Sequence, residues 1–316
     1  MSGTIVAVVV SHDRRDLLLE CLAAVQRQTR RPDAVVVVDN ASRDGSPAVV
    51  AERFPDVDLV ALHRNTGGAG GFAAGLARAI ATHEADLVWL MDDDTIPADD
   101  ALAELLACRE GHRGRPALVA SRVLWHDGRE HPMNTPRRRP GASPEEVAAA
   151  AEVDAVPVRS ASFVSVLVDA GAVRAVGLPE AAYFIWNDDF EFTTRLLRDR
   201  VGLASRRSVV EHRTKAFGAT DADPGERFRF EVRNKLWLFT RSPGLRPGER
   251  VLYAGSSVLR WIRTVARSRR RSVLLAAGRA GLLEALSSGP APTSAVLSEL
   301  GPVSDAVRAV DGRRSA

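Results

Sequence analysis

Four apolar strands alternate with helices through the first 110 residues, and this pattern constrains the chain more than any other. Residues 4–10 (TIVAVVV) form a nearly continuous β-branched run, fit for a strand buried on both faces. Residues 14–28 place Leu17, Leu18, Cys21, Leu22 and Val25 at helical spacing. A second strand is expected at 34–39 (AVVVVD), a short helix at 46–53, a third strand at 57–62 and an alanine-rich helix at 70–82. The fourth strand, 87–91 (LVWLM), runs straight into Asp92-Asp93-Asp94, with a helix expected at 98–109. Such βαβ repetition implies an α/β fold around a doubly wound, mostly parallel sheet.

The alternation then loosens. Residues 132–143 are a basic, proline-rich loop, expected to be mobile. Strands are expected at 162–168, 184–186 and 203–212, and helices at 188–199 and 226–240, with a polar loop at 214–225. Residues 248–286 are helical and basic, and the Ser/Pro/Gly-rich tail is expected to fray. The organisation expected is an α/β domain over 1–240, a helical region over 241–290 and a flexible tail over 291–316.

Composition removes several classes. A net charge of +3 on 316 residues gives little support to nucleic-acid binding. Two cysteines cannot build a disulfide framework or a four-cysteine zinc site. The N-terminal apolar run has no basic lead or cleavage site and reads as a strand, not a signal peptide. No segment reaches the length of a membrane span. These features point to a cytoplasmic chain, soluble or peripherally bound.

In an open α/β sheet, ligands lie at the carboxyl ends of the strands. Ser11, Asp39-Asn40, Arg64-Asn65 and Asp92–Asp94 all fall at such ends. Three adjacent carboxylates repel one another, and a divalent cation would remove that cost. The other reading of the triplet is a solvated turn capping the next helix. Gly67, Gly68 and Gly70 suit backbone approach to a nucleotide, or else only tight helix packing. The first strand lacks a glycine turn, which argues against a dinucleotide dehydrogenase. Asp188, Asp189 and Glu191 open a helix, where one carboxylate could act as a general base and Arg195 could pair with Glu191. His212 follows a strand, as a structural hydrogen-bonder or a metal ligand.

Over residues 4–240, these motifs resemble the inverting GT-A-type glycosyltransferases of family 2. WLMDDD takes the place of the family's DxD motif, and NDDFEFTTR that of its acidic helix element. RNTGGAGGF, FIWNDDFE and DPGERFRFEVRNKLW are most similar to actinobacterial galactofuranosyltransferases of cell-wall galactan synthesis. The resemblance implies a UDP-galactofuranose donor and a polyprenyl-diphosphate-linked glycan acceptor, with dTDP-rhamnose as the competing donor. It assigns Ser11, Asp39, Arg64, Gly67, Gly68, Asp92 and Asp93 to the nucleotide-sugar. It gives Asp92, Asp94 and His212 to Mn²⁺ or Mg²⁺, Asp189 to general-base catalysis, and Trp186 and Asp188 to the acceptor. A binding protein that keeps the fold without turnover stays open on sequence alone.

The basic segment has its own pattern. Residues 260–271 hold six arginines and no acid, with Val258, Leu259, Ile262 and Val265 as an apolar stripe and Trp261 near its edge. A basic amphipathic helix over 248–271 suits an anionic membrane surface at the inner face of the plasma membrane. The same stripe could instead pack on the catalytic domain.

Overall fold

The computed structural model describes residues 3–214, 217 and 223–311. Its elements are β1 (Ile5–Ser11), α1 (Arg15–Gln26), β2 (Ala34–Asp39), α2 (Ser46–Arg53), β3 (Asp58–Ala61), α3 (Gly67–Ala81), β4 (Leu87–Asp92), β5 (Thr95–Pro97), α4 (Ala101–Gly111) and β6 (Leu118–Leu124). They continue with β7 (Arg137–Arg138), α5 (Pro144–Ala151), β8 (Ala155–Ser160), β9 (Val166–Asp169), α6 (Ala170–Val176), α7 (Asp188–Leu196) and β10 (Gly202–His212). Five helices close the chain: α8 (Phe228–Thr240), α9 (Pro247–Arg267), α10 (Arg271–Ser287), α11 (Thr293–Val296) and α12 (Pro302–Asp311).

The strands join in the order β3-β2-β1-β4-β9-β6-β10-β8-β7, with β5 added on β10. β1, β2, β3 and β4 are mutually parallel, whereas β9 runs antiparallel between β4 and β6. This is the expected α/β, GT-A-like doubly wound sheet. Every residue of β1 is buried, because helices cover both faces. Val6, Val8 and Val10 pack with α3 and α12, while Ile5, Ala7 and Val9 pack with α1 and α4. Cys21 and Cys108 are buried free thiols, both pushed up by burial, the latter to about 11.

Four expectations need correction. α3 begins at Gly67, not residue 70, since its glycines lie inside the helix. A Cβ on Gly71 would sit 2.5 Å from Val10 Cγ1, and one on Gly75 2.3 Å from Val8 Cγ1. Only glycine lets this helix come so near β1. Residues 184–186 are not a strand: Phe184, Trp186 and Asn187 have φ of 64°, 67° and 65°. Such left-handed backbone cannot continue a ladder. The 132–143 loop is tied down, because β7 pairs with β8 and Asn134 is buried against His212. The tail is not frayed through 311: Val303, Ala306, Val307 and Val310 of α12 enter the main core. Burying four apolar side chains holds that helix against α3. The expected 214–225 loop falls largely outside the described residues.

Candidate active site

The register of the parallel strands assembles the cleft edge. Ser11 pairs with Asp39 across β1 and β2, and Val10 pairs with Asp92 across β1 and β4. Three expected site residues therefore share one end of the sheet. Ser11 and Asp39 are buried there. Asp39 accepts from the Ser42 amide at 3.0 Å, while its Oδ1 is buried without a hydrogen-bond partner among the described residues. A buried acceptor left open costs free energy until something donates to it.

After Asp94 the chain turns at once into β5, which pairs Thr95 with His212 of β10. That short strand brings two distant segments together. His212 Nε2 lies 3.0 Å from Asp94 Oδ1, and its Nδ1 lies 2.9 Å from Asn134 Oδ1. The Asn134 amide donates to Ser162 Oγ at 3.2 Å, which leaves its carbonyl facing the imidazole. This network makes Nδ1 the donor to Asn134 and holds Nε2 against the Asp94 carboxylate. Ligand atoms of Asp92, Asp94 and His212 all lie within 4.8 Å of one another. Two carboxylates and an imidazole are hard-to-borderline donors that fit Mg²⁺ or Mn²⁺.

The electrostatics favour a cationic partner. Burial, then Asp94 and Asp93, push the Asp92 carboxyl well up. Burial raises Asp93 to about 6 despite the pull of Arg14. Burial also opposes ionisation of Asp94, but His212 and Arg14 together hold that carboxyl below its ordinary range. The Arg14 guanidinium bonds Asp94 and reaches within 3.5 Å of Asp93. Arg14 thus supplies part of the positive charge the triplet demands. The solvated-turn reading does not survive this geometry, since Asp93 and Asp94 are buried.

The second acidic group lies on α7. Asn187 is its left-handed N-cap, and Asp188, Asp189 and Glu191 occupy the first turn. Glu191 and Arg195 form a buried two-point pair at 2.9 and 2.8 Å. Arg195 also donates to the carbonyls of Val176, Gly177 and Leu178, so this pair anchors the helix. Among the described residues, Asp188 and Asp189 have no such partner. Burial and the neighbouring Asp189 push Asp188 up to about 8. Burial raises Asp189 too, against the Phe190 amide and Arg137. Asp188 is close enough to Asp92 for its charge to raise that carboxyl further. The two acidic groups are therefore neighbours.

The loop before α7 is held by α8. Asn234, fully buried, directs its amide at the carbonyls of Tyr183, Ile185 and Trp186, each at 2.9 Å. Arg233 donates to Ala182 and Tyr183 carbonyls, and Glu231 accepts from Asn187 Nδ2 at 2.9 Å. These side chains stabilise three left-handed residues that would otherwise be strained. Sequence reasoning missed Arg14, Asn134 and Asn234. Only the unexplained polar residues of EVRNKLW hinted at the last.

Two expected nucleotide residues have structural partners. Arg64 donates to the carbonyls of Val296, at 2.6 Å, and Ser298, at 3.4 Å, clasping the C-terminal segment. A Cβ on Gly67 would meet the Phe184 carbonyl at 2.0 Å, so that glycine makes room for the α7 loop. Gly68 has open space around its Cα.

The basic helices leave their apolar stripe uncovered. Val258, Leu259 and Ile262 are 48%, 56% and 60% exposed. Trp261 turns inward instead, donating to Glu231 Oε1 at 3.2 Å and packing with Val265 beside Phe228 and Leu274. No helix among the described residues is long and apolar enough to cross a membrane.

Comparison with known proteins agrees with this architecture. The Glycosyl transferase family 2 profile matches residues 6–141. The chain is 35% identical to galactofuranosyltransferase GlfT1 of Mycobacterium tuberculosis, over 78% of this chain and 85% of that protein. It is 26% identical to the N-acetylglucosaminyl-diphospho-decaprenol L-rhamnosyltransferase of the same species, over 88% and 100% of the two chains. Among solved structures, it resembles S. aureus TarS 1-349 in complex with UDP-GlcNAc. That match has a TM-score of 0.62 at 15% identity and covers 98% of this chain and 88% of the other.

Proposed function

The chain belongs to glycosyltransferase family 2 and is a glycosyltransferase, and on that premise we propose that it transfers galactofuranose from UDP-galactofuranose to a hydroxyl of a polyprenyl-linked glycan, with inversion. The observation that supports this reading is a second acidic group, Asp188 and Asp189, both raised by burial, beside the Asp92–Asp94–His212 cluster. The greater identity to galactofuranosyltransferase than to rhamnosyltransferase favours the sugar.

In this reading Asp189 accepts the proton of the acceptor hydroxyl as that oxygen attacks the anomeric carbon. The Phe190 amide, 2.6 Å from Asp189 Oδ1, orients the carboxylate. Asp39 offers its open acceptor to the nucleoside, with Ser11 beside it. Arg64, Gly67 and Gly68 line the nucleotide side, and Gly68 is free for close backbone approach. Asp93 faces the donor, and Trp186 and Asp188 face the acceptor. Asp92, Asp94 and His212 would hold Mn²⁺ or Mg²⁺, which when bound offsets charge on the leaving diphosphate.

We also read the exposed face of α9, with its arginines, as meeting an anionic bilayer at the inner face of the plasma membrane. Eight arginines and no acid lie between residues 250 and 283. Replacing Leu259 and Ile262 by Glu should weaken co-sedimentation with anionic vesicles about tenfold or more. Unchanged sedimentation would remove this part of the reading.

A donor panel tests the reaction. Purified protein with Mn²⁺ receives UDP-galactofuranose, UDP-galactopyranose, UDP-glucose or dTDP-rhamnose and a lipid-linked disaccharide, with nucleotide diphosphate release as readout. Release from UDP-galactofuranose that is lost with chelator is the expected result. Release from dTDP-rhamnose alone would overturn the donor and keep the fold and base.

A further inference from the structure

One cation near Asp189 makes no ion pair among the described residues. Arg137 sits on β7 of the proline-rich segment and is exposed. No ion pair or side-chain hydrogen bond of its guanidinium occurs among the described residues. Its guanidinium carbon lies 5.0 Å from the Phe190 ring centre and 5.8 Å from that of Tyr253. Those two rings meet edge to face, 5.3 Å apart at 78°. Phe190 directly follows Asp189. Tyr253 belongs to α9 and directly follows Val251 and Leu252, which are 76% and 62% exposed. A cation and two aromatic rings thus connect α9 with the base.

We propose that Arg137, Phe190 and Tyr253 form an acceptor subsite for a phosphate- or diphosphate-linked sugar, the guanidinium pairing the phosphate and the rings meeting the sugar. A guanidinium forks onto phosphate oxygens with charge-assisted hydrogen bonds. Ring faces beneath it hold the cation in place without consuming its donors. Sugar C–H faces suit aromatic surface, so Phe190 and Tyr253 bridge the anion and the reacting hydroxyl. The location explains how a lipid-linked substrate could keep its chain at α9 while its sugar reaches Asp189. This subsite rests on the lipid-linked acceptor proposed above.

The test compares two acceptors that share one disaccharide, a short prenyl-diphosphate-linked form and its octyl glycoside. Each variant is assayed on the plateau of its own pH profile. Arg137→Met should raise KM for the diphosphate-linked acceptor about tenfold. KM for the octyl glycoside and for the donor should stay unchanged, and Arg137→Lys should keep most of the preference. An equal rise for both acceptors would overturn the subsite. A rise in donor KM would overturn it too and assign the cation to the donor diphosphate. If the wild type turns over neither acceptor, the proposed reaction fails, and binding of geranyl diphosphate decides the subsite separately. Weaker binding by Arg137→Met than by wild type sustains it; equal binding refutes it.

Discussion

Asp94 and Asp189 belong to two neighbouring acidic groups, but opposite arrangements surround them. Asp94 has two basic partners, Arg14 and His212, and its carboxyl lies below the ordinary range. Among the described residues, Asp189 has only a backbone amide and the more remote Arg137, and burial keeps its carboxyl raised. The first environment fixes a negative charge and suits a group that holds a cation. The second leaves the proton affinity high and suits a group that takes a proton during reaction. Two clusters of aspartates in one sequence thus separate into two roles by their neighbours alone.

The largest effect should come from removing the base. Asp189→Asn should lower kcat about a thousandfold while UDP affinity stays at the wild-type value. Near-normal turnover would dissolve the contrast, since Asp189 would then be another structural acid. A smaller loss should follow when the base is kept but its loop is released. Asn234→Ala removes the donors to three carbonyls, and kcat should fall about a hundredfold with UDP binding intact. Parallel losses of kcat and UDP affinity would mean that Asn234 supports the whole domain. On the other side of the comparison, Asn134→Leu frees the imidazole of His212. Calorimetric Mn²⁺ affinity should weaken about tenfold, without change in a metal-free nucleotide titration. An unchanged metal titration would argue that His212 serves only as a partner of Asp94.

The same division governs what the sequence made legible. Strand ends at Ser11, Asp39 and Asp92 could be placed because fully buried parallel strands are written as continuous apolar runs. The Glu191–Arg195 pair was legible from helical spacing of four. The contacts that finish the site are not local. Asn134 and Asp94 meet His212 across 78 and 118 residues, and no periodicity encodes such a meeting. The three left-handed residues before α7 look like a short apolar strand, since nothing local announces the clamp from Asn234. The tail was misjudged on composition. Val303, Val307 and Val310 recur at helical spacing, and that signal outweighs the neighbouring Ser, Pro and Gly.

The smallest expected effect concerns the proton affinity of Asp189 itself. A general base works only when deprotonated, so kcat/KM should rise with pH as the carboxyl ionises. Burial raises that carboxyl and Arg137 lowers it, so the acidic limb should lie above the ordinary carboxylate range. Arg137→Met removes the lowering influence, and the limb should move to higher pH. Arg137→Lys keeps the charge and should leave the limb nearly in place. Asp189 pushes the adjacent Asp188 up, so the two protons leave as a pair and the limb reports both. Asp188→Asn leaves one carboxyl of the pair and removes the mutual repulsion, so the limb should move the other way, to lower pH. Opposite displacements in the Asp188 and Arg137 variants would locate the titration on the α7 carboxylates. If Asp94→Asn moved the limb instead, the proton would belong to the β4 cluster, and the two roles drawn from the neighbours would have to be exchanged.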